Sequence, residues 1–389
     1  MKRNYWSPQR TSTWFLSAIA VFALVGVGVV EHVQTDASRD HLAEKLNAAE
    51  IAQRSMMHIK SERVARGLSI DPATDISQSG LIGQAMSPIT SNNGSLPAKQ
   101  TSANPNFAAV VVDMLAEAGV KKGDTIAVGF SGSFPAMNVA VLSAAEAMEL
   151  QSIIISSGTA SQWGANVPEF PWLDMEYALV EEGLIRHRSV AASMGGIEDM
   201  GIGVPLEGME LLQETINKRQ VAFIDPTDYL DSVNQRMELY RRHAQGKPIK
   251  AYINVGGGTV SVGTKKGKHL FEPGLNRHRP LAPLPADSVM SRFISEDIPV
   301  IHLVQIDDLA TRYGLPLQPA EIPAVGDGDV FSPRTYNKWL AGGILFVIVV
   351  GLVGVSRTSP AIGKIPPHSV SNRRQVNTFD RSETEAMPL

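Results

Sequence analysis

Cysteine is absent from all 389 residues. That excludes disulfides, thiolate catalysis and Cys-ligated metal centres, and it is compatible with an oxidising compartment. A surplus of either charge is missing as well: 35 Lys and Arg stand against 39 Asp and Glu, a formal net charge of -4. Such a chain carries no basic footprint for nucleic acid. The nine histidines show no ligand spacing, so no metal site is expected from them, and His187, between Arg186 and Arg188, reads as part of a solvated basic turn.

Charge disappears altogether from two runs, Trp14 to Val30 and Trp339 to Val355. Each reaches the lower end of the roughly 17 to 25 residues that cross a bilayer as a helix. Each opens on Trp, which favours the membrane–water interface. The second run is apolar on every face through Ile344-Leu345-Phe346-Val347-Ile348-Val349-Val350, unlike a surface helix of a globular domain. The first also fits the apolar part of a cleaved signal peptide, although no small-x-small site stands out in Val27-Gly28-Val29-Val30-Glu31-His32-Val33. Lys2, Arg3 and Arg10 precede the first run, and Arg357, Lys364, Arg373 and Arg374 follow the second. The positive-inside rule then makes residues 1–13 and 356–389 cytoplasmic tails and the central region extracytoplasmic, with Arg334 and Lys338 pulling the other way.

Between the spans, residues 31–70 carry Leu42, Leu46, Ala49, Ile51, Met56 and Ile59 at a near-helical period. They read as an amphipathic helical stalk or as the first helix of the globular domain. Residues 71–105, with Ser91-Asn92-Asn93-Gly94-Ser95, read as an irregular linker. From 106 to 330 the pattern predicts an α/β domain. Helix 107–118, strand 125–130, helix 135–150 and strand 152–156 are followed by helix 207–218, strand 221–224, helix 229–244 and strand 251–255. Residues 259–271 read as a hairpin, 273–285 as an irregular Pro-rich segment, 298–304 as a last strand and 306–313 as a helix. Strands alternating with helices imply a largely parallel sheet with helices on both faces.

Ligands of such sheets bind beyond the carboxyl ends of the strands. Four strand ends are therefore expected to converge on one crevice: Ser131-Gly132-Ser133, Ser156-Ser157-Gly158-Thr159, Asp225-Pro226-Thr227-Asp228 and Gly256-Gly257-Gly258-Thr259. The first leads into a helix, whose unpaired N–H groups and dipole favour a carboxylate or phosphate there. Ser133 also reads as an ordinary helix cap. The same turn nearly matches the G-x-S-x-G nucleophile elbow, with Ser133 where glycine is expected, which makes Ser131 a weak candidate nucleophile. Asp174, Asp199 or Asp225 with His243, His269 or His278 would complete the hydrolase order. The Gly256 to Gly258 triplet is neither a P-loop nor a dinucleotide fingerprint, so no cofactor is indicated. Glu198 and Asp199, in the glycine-rich segment 195–203, read as solvated turn residues or, less simply, as metal ligands. Trp163 and Trp172 read as core aromatics or a lid.

The segments Ser102-Ala103-Asn104-Pro105-Asn106-Phe107-Ala108-Ala109-Val110-Val111-Val112-Asp113, Val128-Gly129-Phe130-Ser131-Gly132-Ser133-Phe134-Pro135-Ala136, Trp163-Gly164-Ala165-Asn166 and Ile253-Asn254-Val255-Gly256-Gly257-Gly258 together resemble the poly-gamma-glutamate system protein family. The resemblance implies a bacterial cell-membrane protein that helps make, export or anchor poly-gamma-glutamate beside the membrane-bound synthesis machinery. It carries no catalytic residues over. On this expectation the crevice holds the anionic polymer, with Lys265, Lys266, Lys268, Arg277 and Arg279 extending the attraction; alternatives are a serine hydrolase or transferase acting on the polymer and a scaffold for the synthase complex.

Overall fold

The computed structural model describes residues 13–36, 41–264, 270–280, 286–332 and 334–358. In chain order the first elements are α1 (Thr13–His32), β1 (Gln34–Asp36), α2 (Leu42–Ala65), β2 (Thr90–Asn92), α3 (Leu96–Ser102), α4 (Phe107–Glu117), β3 (Thr125–Ser131), α5 (Pro135–Ala147), β4 (Gln151–Ser157), β5 (Ala160–Ser161), α6 (Trp172–Glu181) and β6 (Ser189–Ser193). They are followed by α7 (Leu206–Lys218), β7 (Ala222–Ile224), α8 (Tyr229–Ala244), β8 (Ile249–Val255), α9 (Thr259–Val262), β9 (Gly274–Asn276), α10 (Val289–Ser295), β10 (Val300–Leu303), α11 (Ile306–Arg312), β11 (Arg334–Tyr336) and α12 (Lys338–Thr358).

The chain divides into two compact units, residues 36–334 and the two ends. In the terminal unit, α1 and α12 are each long and apolar enough to cross a membrane. Glycine lets them pack closely: a Cβ on Gly26 would meet Ile344 at 2.6 Å, and one on Gly351 would meet Ile19 at 3.4 Å. The tails, with Lys2, Arg3, Arg10, Lys364, Arg373 and Arg374, lie outside the described residues.

The central unit is built on a seven-stranded sheet in the order β7-β6-β4-β3-β8-β10-β9. Every neighbouring pair is parallel except β10 with β9, which runs antiparallel at the edge. Alternate residues face opposite sides, as the pleat requires. Ile126, Val128 and Phe130 of β3 join Ile154, Ile253 and Ile301 in a core with α2, α4, α5 and α6. Ala127 joins Ile153, Ile155, Tyr252 and Val300 in a second core with α8, α9 and α10. The expected α/β class, with a largely parallel sheet covered on both faces, is what the structure shows. The chain runs from β3 outward through β4, β6 and β7, then returns to β3's other side as β8. The sheet therefore reverses its winding between β3 and β8.

Several segments differ from their sequence reading. Residues 42–65 do not stand off as a stalk: Ala48, Ala49, Ala52, Met56 and Ile59 are buried in the first core, the alanines letting α2 lie close to α4 and α5. The expected linker is folded because side chains satisfy its backbone. Asp75 accepts from the N–H of Ser79 at 2.9 Å and of Gly80 at 2.7 Å, and Arg63 donates to the carbonyls of Gly80 and Ile82 at 3.0 and 2.6 Å. It contains β2 and α3. The expected hairpin 259–271 opens instead with the single turn α9, which buries Val260 and Val262 in the second core; Lys265, Lys266 and Lys268 lie outside the described residues. Within the Pro-rich segment, Gly274–Asn276 forms the edge strand β9. The stretch 160–194 supplies α6 and β6, which sequence periodicity did not mark. Trp172 is fully buried, edge-on to Phe130 at 5.5 Å, and is a core residue rather than a lid.

Candidate functional site

The loops after β3, β4, β6 and β8 surround a crevice of about 670 Å³ at the carboxyl ends of the strands, with the segment Ser91 to Ser95 as its outer wall. It opens at the reversal between β3 and β8, where a doubly wound sheet leaves space for a ligand. Ser131, Ser133, Ser157, Gly257, Gly258 and Thr259 line it, as the sequence predicted. Gly132 and Gly256 stand directly behind. A Cβ on Gly132 would sit 2.9 Å from the Thr159 carbonyl, and Gly256 has φ +87°, a backbone conformation that favours glycine. Ser156 and Asp225 are not part of the lining. Ser156 is buried and bonds Ser189 Oγ at 2.7 Å, while Asp225 is exposed at the end of the outer strand β7.

The β3 loop is held by its own hydroxyls. Ser131 Oγ accepts from the Ser133 N–H at 3.1 Å and donates to Ser133 Oγ at 3.0 Å. Ser133 Oγ also accepts from the Ser161 N–H at 3.0 Å, which ties β3 to β5. Ser133 therefore does not cap α5, whose N-cap position is Phe134. Its own hydroxyl proton has no acceptor among the described residues, and the N–H groups of Gly257 and Gly258 likewise have no partner among them. These are the hydrogen-bond donors left over in the crevice.

Lys99 and Ser161 join this wall without a sequence signal. Helix α3 starts at Ser95, whose Oγ accepts from the Ala98 N–H at 3.4 Å, and it carries Lys99 inward until only 2% of the residue is exposed. Lys99 Nζ bonds the Ser133 carbonyl, lies 3.0 Å from Ser161 Oγ and sits 3.4 Å from the centre of the Phe134 ring. No carboxylate pairs with it among the described residues. Burial favours its neutral form and lowers its pKa to about 7. A lysine inside a Ser-Leu-Pro-Ala-Lys-Gln stretch has no periodic context to mark it as buried.

Asp199 is not a solvated turn residue, and its carboxylate is taken up by protein donors. It is buried at the crevice floor and accepts from Ser193 Oγ at 2.6 Å, Ser232 Oγ at 2.7 Å and Arg236 Nε at 2.9 Å. Arg236 also donates to Ser193 Oγ at 2.6 Å. A signal for it did exist: Arg236 lies on the same stripe of α8 as Val233, Met237 and Tyr240, where a charge demands a buried partner. At the mouth, the Glu198 N–H donates to Thr259 Oγ1 at 3.3 Å and Thr259 Oγ1 to the Gly196 carbonyl at 3.4 Å, joining the β6 and β8 loops.

The Ser-Asp-His order read from the sequence is not assembled. Asp174 pairs with Arg219 at 2.5 Å, Asp199 with Arg236, and Asp225 points to solvent. His243 and His278 are exposed, His269 lies outside the described residues, and no described histidine lines the crevice. Of the basic residues expected to extend the site, Arg277 pairs with Glu117 at 3.2 Å and Arg279 is exposed. No group of three His, Asp or Glu side chains among the described residues is placed to hold a metal. Comparison with protein-family models, curated proteins and solved structures finds no match to this chain, so its site is defined by its own residues.

Proposed function

We propose that this chain is a membrane accessory protein of poly-gamma-glutamate biosynthesis or export, and that its crevice holds the anionic polymer by its carboxylates. One observation carries the reading. Among the described residues Asp199 is the single carboxylate in the lining, and Arg236 neutralises it, whereas the Gly257 and Gly258 amides and the Ser133 hydroxyl remain as donors to an anion and Lys99, when protonated, adds positive charge beside them. A carboxylate bound there exchanges water for preorganised donors in a partly desolvated site, where charge-assisted hydrogen bonds are strong. The two apolar helices support a membrane location, and the basic residues outside them support an extracytoplasmic central unit.

The full chain in detergent, titrated with a fluorescent γ-linked glutamate oligomer, is expected to bind it with an affinity that falls as salt rises. Gly258→Asp is the decisive variant. A Cβ at Gly258 would have no neighbour nearer than Ser261 Oγ at 4.0 Å, so the substitution adds a negative charge without a clash. Repulsion should weaken binding by about tenfold or more, and Gly258→Asn by much less. Absence of binding, or affinity indifferent to Gly258→Asp, refutes the reading. An alkaline phosphatase inserted in the exposed turn at Gly246 should be active if the central unit lies outside the cytoplasm.

A further inference from the structure

We propose that Ser161 and Lys99 form a nucleophile and general-base pair in the crevice, and that the pair cleaves an amide bond through an acyl-serine intermediate. That the amide is the γ-linkage of the glutamate polymer rests on the reading above; the pair itself does not. The weak candidate Ser131 lacks any base: its hydroxyl donates to Ser133 Oγ, and no histidine lines the crevice among the described residues. Ser161 Oγ lies 3.0 Å from Lys99 Nζ, within the reach a general base needs.

The partners of Lys99 match the inventory of a neutral amine, two N–H donors and one lone pair. Lys99 Nζ donates to the Ser133 carbonyl and to Ser161 Oγ and lies over the face of Phe134; when the amine is neutral its lone pair faces Ser161, whose hydroxyl then donates to it. After protonation the same three directions serve three N–H donors, so the site accommodates both states of the base without rearrangement. Ser161 is fixed from both backbone sides, its N–H to Ser133 Oγ at 3.0 Å and its carbonyl from the Gly164 N–H at 3.0 Å. The free Ser133 hydroxyl proton, beside Ser161, is the donor available to the substrate oxygen that becomes negative. Burial of the ammonium, which brings it to about 7, leaves a substantial neutral fraction at neutral pH. The other ionised groups lining the crevice, Asp199 and Arg236, neutralise each other.

The steps balance. Ser161 Oγ attacks the carbonyl carbon while its proton passes to Lys99 Nζ; the C–N bond then breaks and the Lys99 ammonium returns that proton to the leaving amine. Water next attacks the ester, giving a proton to Lys99. The C–O bond to Ser161 breaks and the serine recovers a proton, so amide and water yield carboxylic acid and amine.

A fluorophosphonate tests the pair without any assumption about the substrate, because an activated serine displaces its fluoride and retains the phosphonyl group. Incubation of the full chain in detergent, followed by peptide mass analysis, is expected to place the adduct on Ser161. Ser161→Ala should abolish it, and Lys99→Met should slow it by about a hundredfold or more, the range general bases supply. The wild-type labelling rate should rise with pH and level off above about 7, where the amine is already neutral. No adduct, an adduct on Ser131 or Ser133, a rate unchanged in Lys99→Met, or a rate that climbs without a plateau to pH 9 overturns the pair. Labelling of Ser161 without binding of the glutamate oligomer overturns the polymer as substrate and leaves the pair intact; binding without labelling does the reverse.

Discussion

Arg236 and Asp199 form a buried ion pair under the crevice, 2.7 Å apart, with 4% and 5% of their side chains exposed. Asp199 comes from the loop after β6 and Arg236 from α8, so the pair fixes the height of that loop against the second face of the sheet. Ser193 and Ser232 satisfy the remaining carboxylate lone pairs. Removing one member strands the other. Asp199→Ala leaves an uncompensated guanidinium in the interior and should cost about 3–5 kcal/mol, whereas replacing both residues with apolar ones should recover most of that loss. Thermal unfolding of the full chain in detergent, followed by circular dichroism, reads the difference; equal melting temperatures for Asp199→Ala and the double variant contradict it.

The fold was legible where periodicity carries it. The period of α8 and the strand–helix alternation around β3, α5 and β4 were plain in the sequence, because local burial patterns repeat there. The segment that holds Lys99 was not. It is ordered by Asp75, Arg63 and Asn166, whose partners lie in distant or aperiodic stretches: Asn166 Oδ1 accepts from the Gln84 N–H at 2.8 Å and its Nδ2 donates to Thr90 Oγ1 at 2.9 Å. The crevice loops were legible in type, small residues at strand ends, but the base beside Ser161 is set by long-range packing that composition does not encode.

Gly164 explains how two of those loops meet. A Cβ there would lie 2.7 Å from the Gly132 carbonyl, 2.8 Å from the Ser133 carbonyl and 2.9 Å from Ser133 Cα, all backbone atoms that cannot swing aside. Gly164→Ala must push the β3 loop away from β5, at a cost of about 1–3 kcal/mol. The Ser161 N–H to Ser133 Oγ bond should lengthen with it, so oligomer binding should weaken by more than the loss of stability alone explains. A variant with native melting temperature and native affinity would show that the approach is not tight.

Glu176 gives the domain a pH dependence remote from the crevice. Its carboxylate is buried on α6 and accepts from the Ser189 N–H and hydroxyl, both at 2.9 Å. Burial raises its pKa to about 7, against the opposing pull of the Ser189 bonds and of Arg188. The folded chain therefore binds a proton that the unfolded chain releases near 4.5. The associated stability is complete below about pH 4.5 and is lost as pH rises through about 7. Glu176→Gln carries no charge to bury, so it should flatten the melting temperature across that window and exceed wild type at pH 8. A wild-type decline between pH 5 and 8 that survives in Glu176→Gln assigns the effect to another group.

Lys99 titrates in the opposite sense. Its folded pKa of about 7 lies below the 10.5 of an ordinary lysine, so between the two the unfolded chain holds a proton that the folded chain has released. Stability then rises with pH across that interval, and the cost of burying the ammonium is complete only below about pH 7. Lys99→Met keeps the apolar stem and removes the titration, so the advantage of Lys99→Met over wild type should be largest at pH 6 and shrink steadily toward pH 10. A bound anion reverses part of this trend: a carboxylate in the crevice stabilises the ammonium and should draw a proton onto Lys99 when the oligomer binds above pH 7. Calorimetry in two buffers of different ionisation enthalpy measures that uptake directly. Proton uptake in wild type that vanishes in Lys99→Met is the expected result, and uptake unaltered by the substitution means that Lys99 does not sense the ligand.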